Sequence, residues 1–114
     1  MSLQHPELAA GRWASLSLVE QMAHIGCEVE RALNWRARQN EEYCRLAYMR
    51  VLELIDLSLE QASNYAQLKE LARLREAAVD FFAGSNQFQS SEDSWQKYFL
   101  PFACAARSGR DKIF

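Results

Sequence analysis

Residues 71–82 read LARLREAAVDFF, and the spacing of their apolar members decides the fold. Leu71, Leu74, Ala78 and Phe82 recur every three or four positions, the period that keeps side chains on one face of an α-helix. Neither Gly nor Pro interrupts the stretch. Upstream, Leu68 continues the pattern to a cap at Ser63 or Asn64, and downstream Gly84 ends it. A helix is predicted over 65–83. One residue breaks its pattern. At about 100° per residue, Arg75 falls between Leu68, Leu71, Val79 and Phe82, in the middle of the apolar arc.

A guanidinium cannot shed its charge, and burying it alone is strongly unfavourable. Three solutions stay open. Its stem can run along the core to water, it can pair with an acid such as Asp56 across a helix or chain interface, or it can hold an anionic ligand on its planar fork. Arg75, Asp80 and Asp56 are the candidates for a buried ion pair or an anion-binding site.

The same periodicity predicts three further helices. Ser17 and Glu20 form a capping-box pattern, followed by Leu18, Met22, Ile25, Val29 and Leu33 on one stripe of a helix over 18–37. Asn40 either caps the next helix or takes the left-handed conformation that ends the previous one. That second helix spans 41–62, with Tyr48, Leu52, Ile55 and Leu59 on its main stripe. Leu46, Leu54 and Leu57 lie off the stripe, as expected of a central helix or one that meets a second chain. Ser90 or Ser91 opens a fourth helix over 92–106, whose stripe is Trp95, Phe99, Phe102 and Ala106. Pro101 inside it predicts a kink or break. One turn is expected around Pro6–Ala10, and the tail RSGRDKIF reads as frayed. The expected fold is all-α: one antiparallel, up-and-down four-helix bundle.

Composition agrees. The chain has 114 residues, 49% apolar and 25% charged, with four glycines and two prolines. That length suits one domain with its own core. A formal charge of -2 with interspersed signs argues against DNA and gives RNA or nucleotide no electrostatic support. Cys27, Cys44 and Cys104 form no C-x-x-C pair, so reduced thiols in a cytoplasmic protein are expected. The N-terminus lacks a signal-peptide pattern, and no apolar stretch is long enough to span a membrane.

Catalytic motifs are scarce. No phosphate-binding glycine loop, G-x-S-x-G or H-E-x-x-H occurs. His24 and Glu28 have metal-ligand spacing, but His24 falls nearly opposite the core stripe. Glu53, Asp56 and Glu60 share the polar strip of the second helix, and Glu76 and Asp80 that of the third. Solvated helix faces are the simpler reading, so no metal or cofactor is expected. ELID supplies Glu53 and Asp56, half of the E-x-x-E…E-x-x-D magnesium motif of all-α nucleotide pyrophosphohydrolases. Its first half is missing.

Trp35 shares the off-core face of the first helix with His24, Glu28 and Arg31. On the second helix, Leu46 and Leu57 flank Arg50. Aromatic and arginine side chains on an exposed face are typical interface anchors. Trp35, Arg31, Arg50, Leu46 and Leu57 are the interface candidates, for a homodimer or another protein partner. Coverage by the lead-in or another helix is the competing reading.

The segments HIGCEVERALNW, LELIDLSLE, LKELARLREAAVDFFAGSNQF and KYFLPFACAAR resemble a family of small prokaryotic helical proteins whose architecture is similar to HEPN bundles. The resemblance runs from about Gln21 to Arg107. It implies an accessory protein beside a nucleotidyltransferase or a toxin–antitoxin partner, associated with nucleotide or RNA. Catalytic HEPN members carry Arg followed roughly four to six residues later by His. Here Arg75 is followed by Asp80, so the nuclease activity is not carried over. A non-catalytic interaction or dimerising bundle is the primary expectation, with the HEPN-like role and the metal-dependent hydrolase as alternatives. The loop GSNQFQSS, with Phe88 at its centre, is either a recognition loop or a connector pinned to the core by its Phe.

Overall fold

The computed structural model describes residues 11–109. The turn expected at Pro6–Ala10 and the tail beyond residue 109 lie outside them. Four helices follow one another: α1 Leu18–Ala37, α2 Glu41–Gln61, α3 Tyr65–Phe82 and α4 Glu92–Ser108, preceded by a 3₁₀ turn at Trp13–Ser15. Together they form an all-α four-helix bundle.

Each start is fixed by a side chain that accepts an orphan backbone N–H. Ser17 and Glu20 cap one another, Asn40 accepts from Tyr43, Asn64 from Gln67 and Ser91 from Ser94. Between α1 and α2 the left-handed residue is Gln39, at φ 60°. That turn lets the Asn40 N–H reach back to the Trp35 carbonyl at 3.0 Å, closing α1 while Asn40 opens α2.

Polar pairs bridge the seams between the helices. Glu28 meets Arg50 between α1 and α2, Asp56 meets Arg75 between α2 and α3, and Glu30 meets Gln96 between α1 and α4. The core between them holds Met22, Ile25, Ile55 and Leu71, all essentially inaccessible. Burying each such side chain contributes about 1.5–3 kcal/mol. At Gly26 an added Cβ would lie 2.9 Å from the Phe99 ring. The missing side chain therefore lets the α4 aromatic stripe sit directly on α1. On the other side, α3 and α4 are held apart by rings, with Phe81 5.9 Å from Trp95 in an edge contact.

Three expectations need correction. The break expected at Pro101 is absent, since helix α4 runs through it to Ser108 and closes on Gly109, whose φ is 74°. Pro101 is exposed while Phe99 and Phe102 on either side of it are buried, so packing holds the helix where one internal hydrogen bond is lost. Leu57 is not a surface residue; it is 8% exposed and belongs to the core with Trp13. Arg75 does not point into the core. The buried line of α3 is Leu71, Leu74 and Ala78, and Arg75 stands beside it at the α2 edge.

Candidate functional site

The seam between α1 and α2 is closed at one end and open at the other. At the closed end the 3₁₀ turn folds Trp13 into the bundle, where it is 2% exposed. Its indole N–H donates to Ser58 Oγ at 3.0 Å, and the Gln21 amide donates to the Trp13 carbonyl at 3.0 Å. The Trp13 ring lies 5.9 Å from that of His24. Sequence reading offered the lead-in as one possible cover for the outer helix faces but did not single out Trp13. A lone tryptophan before a helix cap gives no periodicity from which to infer burial.

At the open end, Glu28, Arg31, Trp35, Tyr43, Leu46 and Arg50 line a depression of about 250 Å³. Four of the five interface candidates thus meet at one place, while Leu57 lies in the core. Trp35 is half-buried and stands edge-on to Tyr43, with ring centroids 4.8 Å apart. The Arg38 guanidinium lies 5.4 Å from the Trp35 ring centroid. Tyr43 and Leu46 are 48% and 41% exposed, giving the rim an apolar surface in contact with water.

Charge at the floor of this depression is unevenly matched. Arg31 and Arg50 approach the same Glu28 oxygen, at 3.5 Å and 3.6 Å. Both distances exceed normal charge-assisted hydrogen-bond lengths. Glu28 Oε2 and Arg50 Nε are buried with no hydrogen-bond partner. An unsatisfied buried donor or acceptor costs about 1–3 kcal/mol, more when charged. Two guanidiniums therefore share one carboxylate, and neither contact is well formed.

Elsewhere, Arg75 Nε donates to Asp56 Oδ1 at 2.8 Å, and Nη2 lies 3.5 Å from Oδ2. The side chains are 40% and 51% exposed, so this ion pair sits at the surface. The Asp56 hydrogen bond is the main reason the Arg75 pKa is raised above its ordinary value. Asp80 does not join them. Its carboxylate accepts the backbone N–H groups of Gln87 and Phe88 at 2.7 Å and 3.0 Å, ordering the loop after α3. Asn86 and Ser90 add a reciprocal pair across it. Phe88 is left 60% exposed and does not pin the loop to the core.

The carboxylates weighed as metal ligands diverge. Glu53 is buried at 6% exposure, whereas Asp56 faces water and holds Arg75. Among the described residues, no three His, Cys, Asp or Glu side chains are grouped as a metal site. Nor, among them, is any helix long and apolar enough to cross a membrane.

No protein-family model, curated protein or solved structure matches the chain.

Proposed function

We propose that the protein is a non-catalytic bundle that joins a second copy of itself through the open end of the α1–α2 seam. The observation that carries this reading is the apolar rim of exposed Tyr43 and Leu46 with half-buried Trp35, set beside the exposed Arg31 and over the Glu28–Arg50 pair. The patch contains acid, base and apolar surface together. Such a surface is complementary to its own copy across a twofold axis, as an isologous interface requires. Arg31, 54% exposed and sharing the Glu28 carboxylate with Arg50, would gain a carboxylate from the copy. Desolvated arginine and aromatic side chains at the centre of a patch are where binding energy concentrates.

Light scattering on the eluting protein tests this, comparing wild type with Trp35→Ala and Leu46→Glu. The expected result is a wild-type dimer whose dissociation constant rises at least tenfold in either variant, with helical content unchanged. A wild-type monomer at every concentration, or a dimer indifferent to both substitutions, would contradict it.

A further inference from the structure

We propose that the cleft at the end of the bundle, where the C-termini of α1 and α3 meet the start of α2, binds a small anion carried on a flat ring. It shares no lining residue with the α1–α2 patch and does not depend on self-association. The cleft has a volume of about 860 Å³ and is lined by Arg36, Arg45, Cys44, Tyr48, Phe82 and Glu41, among others. That size falls within the range of about 300–1,000 Å³ typical of ligand sites.

Its two arginines differ from those discussed above. Arg31, Arg50 and Arg75 each have a carboxylate within ion-pair distance. Among the described residues, Arg36 and Arg45 have none. The Arg36 guanidinium instead lies over the Phe81 ring, 4.3 Å from its centroid. Stacking on one face fixes the plane of the fork and leaves its N–H edge free to donate. Arg45 Nη1 rests 3.3 Å from Met49 Sδ, a weak acceptor that uses little of its capacity. Two oriented guanidiniums with unspent donors are suited to a carboxylate or phosphate.

Part of the remaining wall is aromatic. Tyr48 and Phe82 lie 5.4 Å apart with planes 35° from parallel, offering ring surface beside the arginines. Burial pushes the Cys44 thiol above its ordinary pKa, against a smaller opposing effect of Arg36, so the floor carries no competing thiolate. Two arginines against Glu41 leave the lining one positive charge in excess. A compact anion fits this balance, and the chain's formal charge of -2 disfavours a long polyanion. An arene carboxylate and a nucleoside monophosphate share the required chemistry.

Isothermal titration with AMP, benzoate, adenosine and inorganic phosphate tests the site on wild type, Arg45→Gln and Arg36→Gln, with Arg73→Gln as a control outside the cleft. The expected result is binding of AMP or benzoate at least tenfold tighter than phosphate or adenosine. Either cleft variant should weaken it at least tenfold, and Arg73→Gln should leave it unchanged. Arg45 is exposed, so its variant reports on the cleft even if losing the Arg36–Phe81 stack perturbs the fold. AMP alone would assign a nucleotide, and benzoate alone an arene carboxylate. Binding of neither, phosphate or adenosine binding as tightly as both, or unchanged affinity in Arg45→Gln would overturn the proposal.

Discussion

Arg75 and Asp56 face each other across the α2–α3 seam, Nε to Oδ1 at 2.8 Å, with both side chains in contact with solvent. Ion pairs this exposed are worth about 0.2–1 kcal/mol, because water screens them and ordering two long side chains is entropically costly. Replacing Arg75 by Met is therefore expected to change unfolding free energy by less than about 1 kcal/mol. Urea unfolding of wild type and Arg75→Met checks this. A loss of several kcal/mol would mean that the pair is an internal support of the bundle.

Asp80 makes a different structural contribution. Its carboxylate accepts two loop N–H groups, and its own carbonyl accepts those of Gly84 and Asn86. Asp80→Ala removes the two carboxylate contacts, each a charge-assisted hydrogen bond of about 1.5–3 kcal/mol at most. The Gln87 and Phe88 amides should then exchange with solvent at least tenfold faster, while α1 and α2 amides stay protected. Equal loss of protection throughout the bundle would show that the loop is not a separable unit.

Gly26 is the position where an ordinarily favourable substitution should fail. Alanine gains about 1 kcal/mol of helix propensity over glycine. Here its Cβ would approach Phe99 Cβ, Cγ and Cδ1 at 3.0, 2.9 and 2.9 Å, the root of a buried ring that cannot swing aside. Overpacking of this kind costs about 1–3 kcal/mol. The expected outcome for Gly26→Ala is a lower Tm, by a few degrees, and a higher Tm would show that α4 can move outward freely.

The Tyr98 hydroxyl donates to the Glu70 carboxylate between α3 and α4. Burial, then that hydrogen bond to an anion, pushes the Tyr98 pKa well above its ordinary value. Below the unfolded-state value near 10 both states hold the proton, and the contribution is fully present. Above it the unfolded chain releases the proton while the folded chain keeps it, so stability falls as pH rises. Between about pH 8 and about pH 11 wild type should lose more unfolding free energy than Tyr98→Phe. Equal slopes for the two proteins would remove Tyr98 as the cause.

The helices were legible because their information is local. Ser17, Asn40, Asn64 and Ser91 mark the starts that the sequence predicts, and the apolar periods give helix spans within two residues of those observed. What failed was rotation about a helix axis. Leu68 is 45% exposed, so the apolar arc drawn through it was centred wrongly, and that placed Arg75 inside. Leu57 was assigned to the surface because nothing local reveals that Trp13 packs nearby. Trp35 and Arg31 were placed on one face of α1, and Leu46 and Arg50 on one face of α2; that the two faces adjoin follows from the packing. Glu28 as the carboxylate shared by the two arginines was not anticipated, because which acid lies beneath two arginines depends on how α1 and α2 register. The cleft around Arg45 was missed for the same reason, since its walls come from three helices.

Self-association through Glu28, Arg31 and Arg50 is tested most directly by mixing two charge-reversed proteins. Glu28→Arg makes the patch wholly basic, and a double variant, Arg31→Glu with Arg50→Glu, makes it wholly acidic. Sedimentation equilibrium should find each variant monomeric alone, wild type dimeric, and an equimolar mixture of the two variants dimeric again, with salt weakening the mixed species. A wild-type monomer, or variants that dimerise alone as well as they do mixed, would contradict the account.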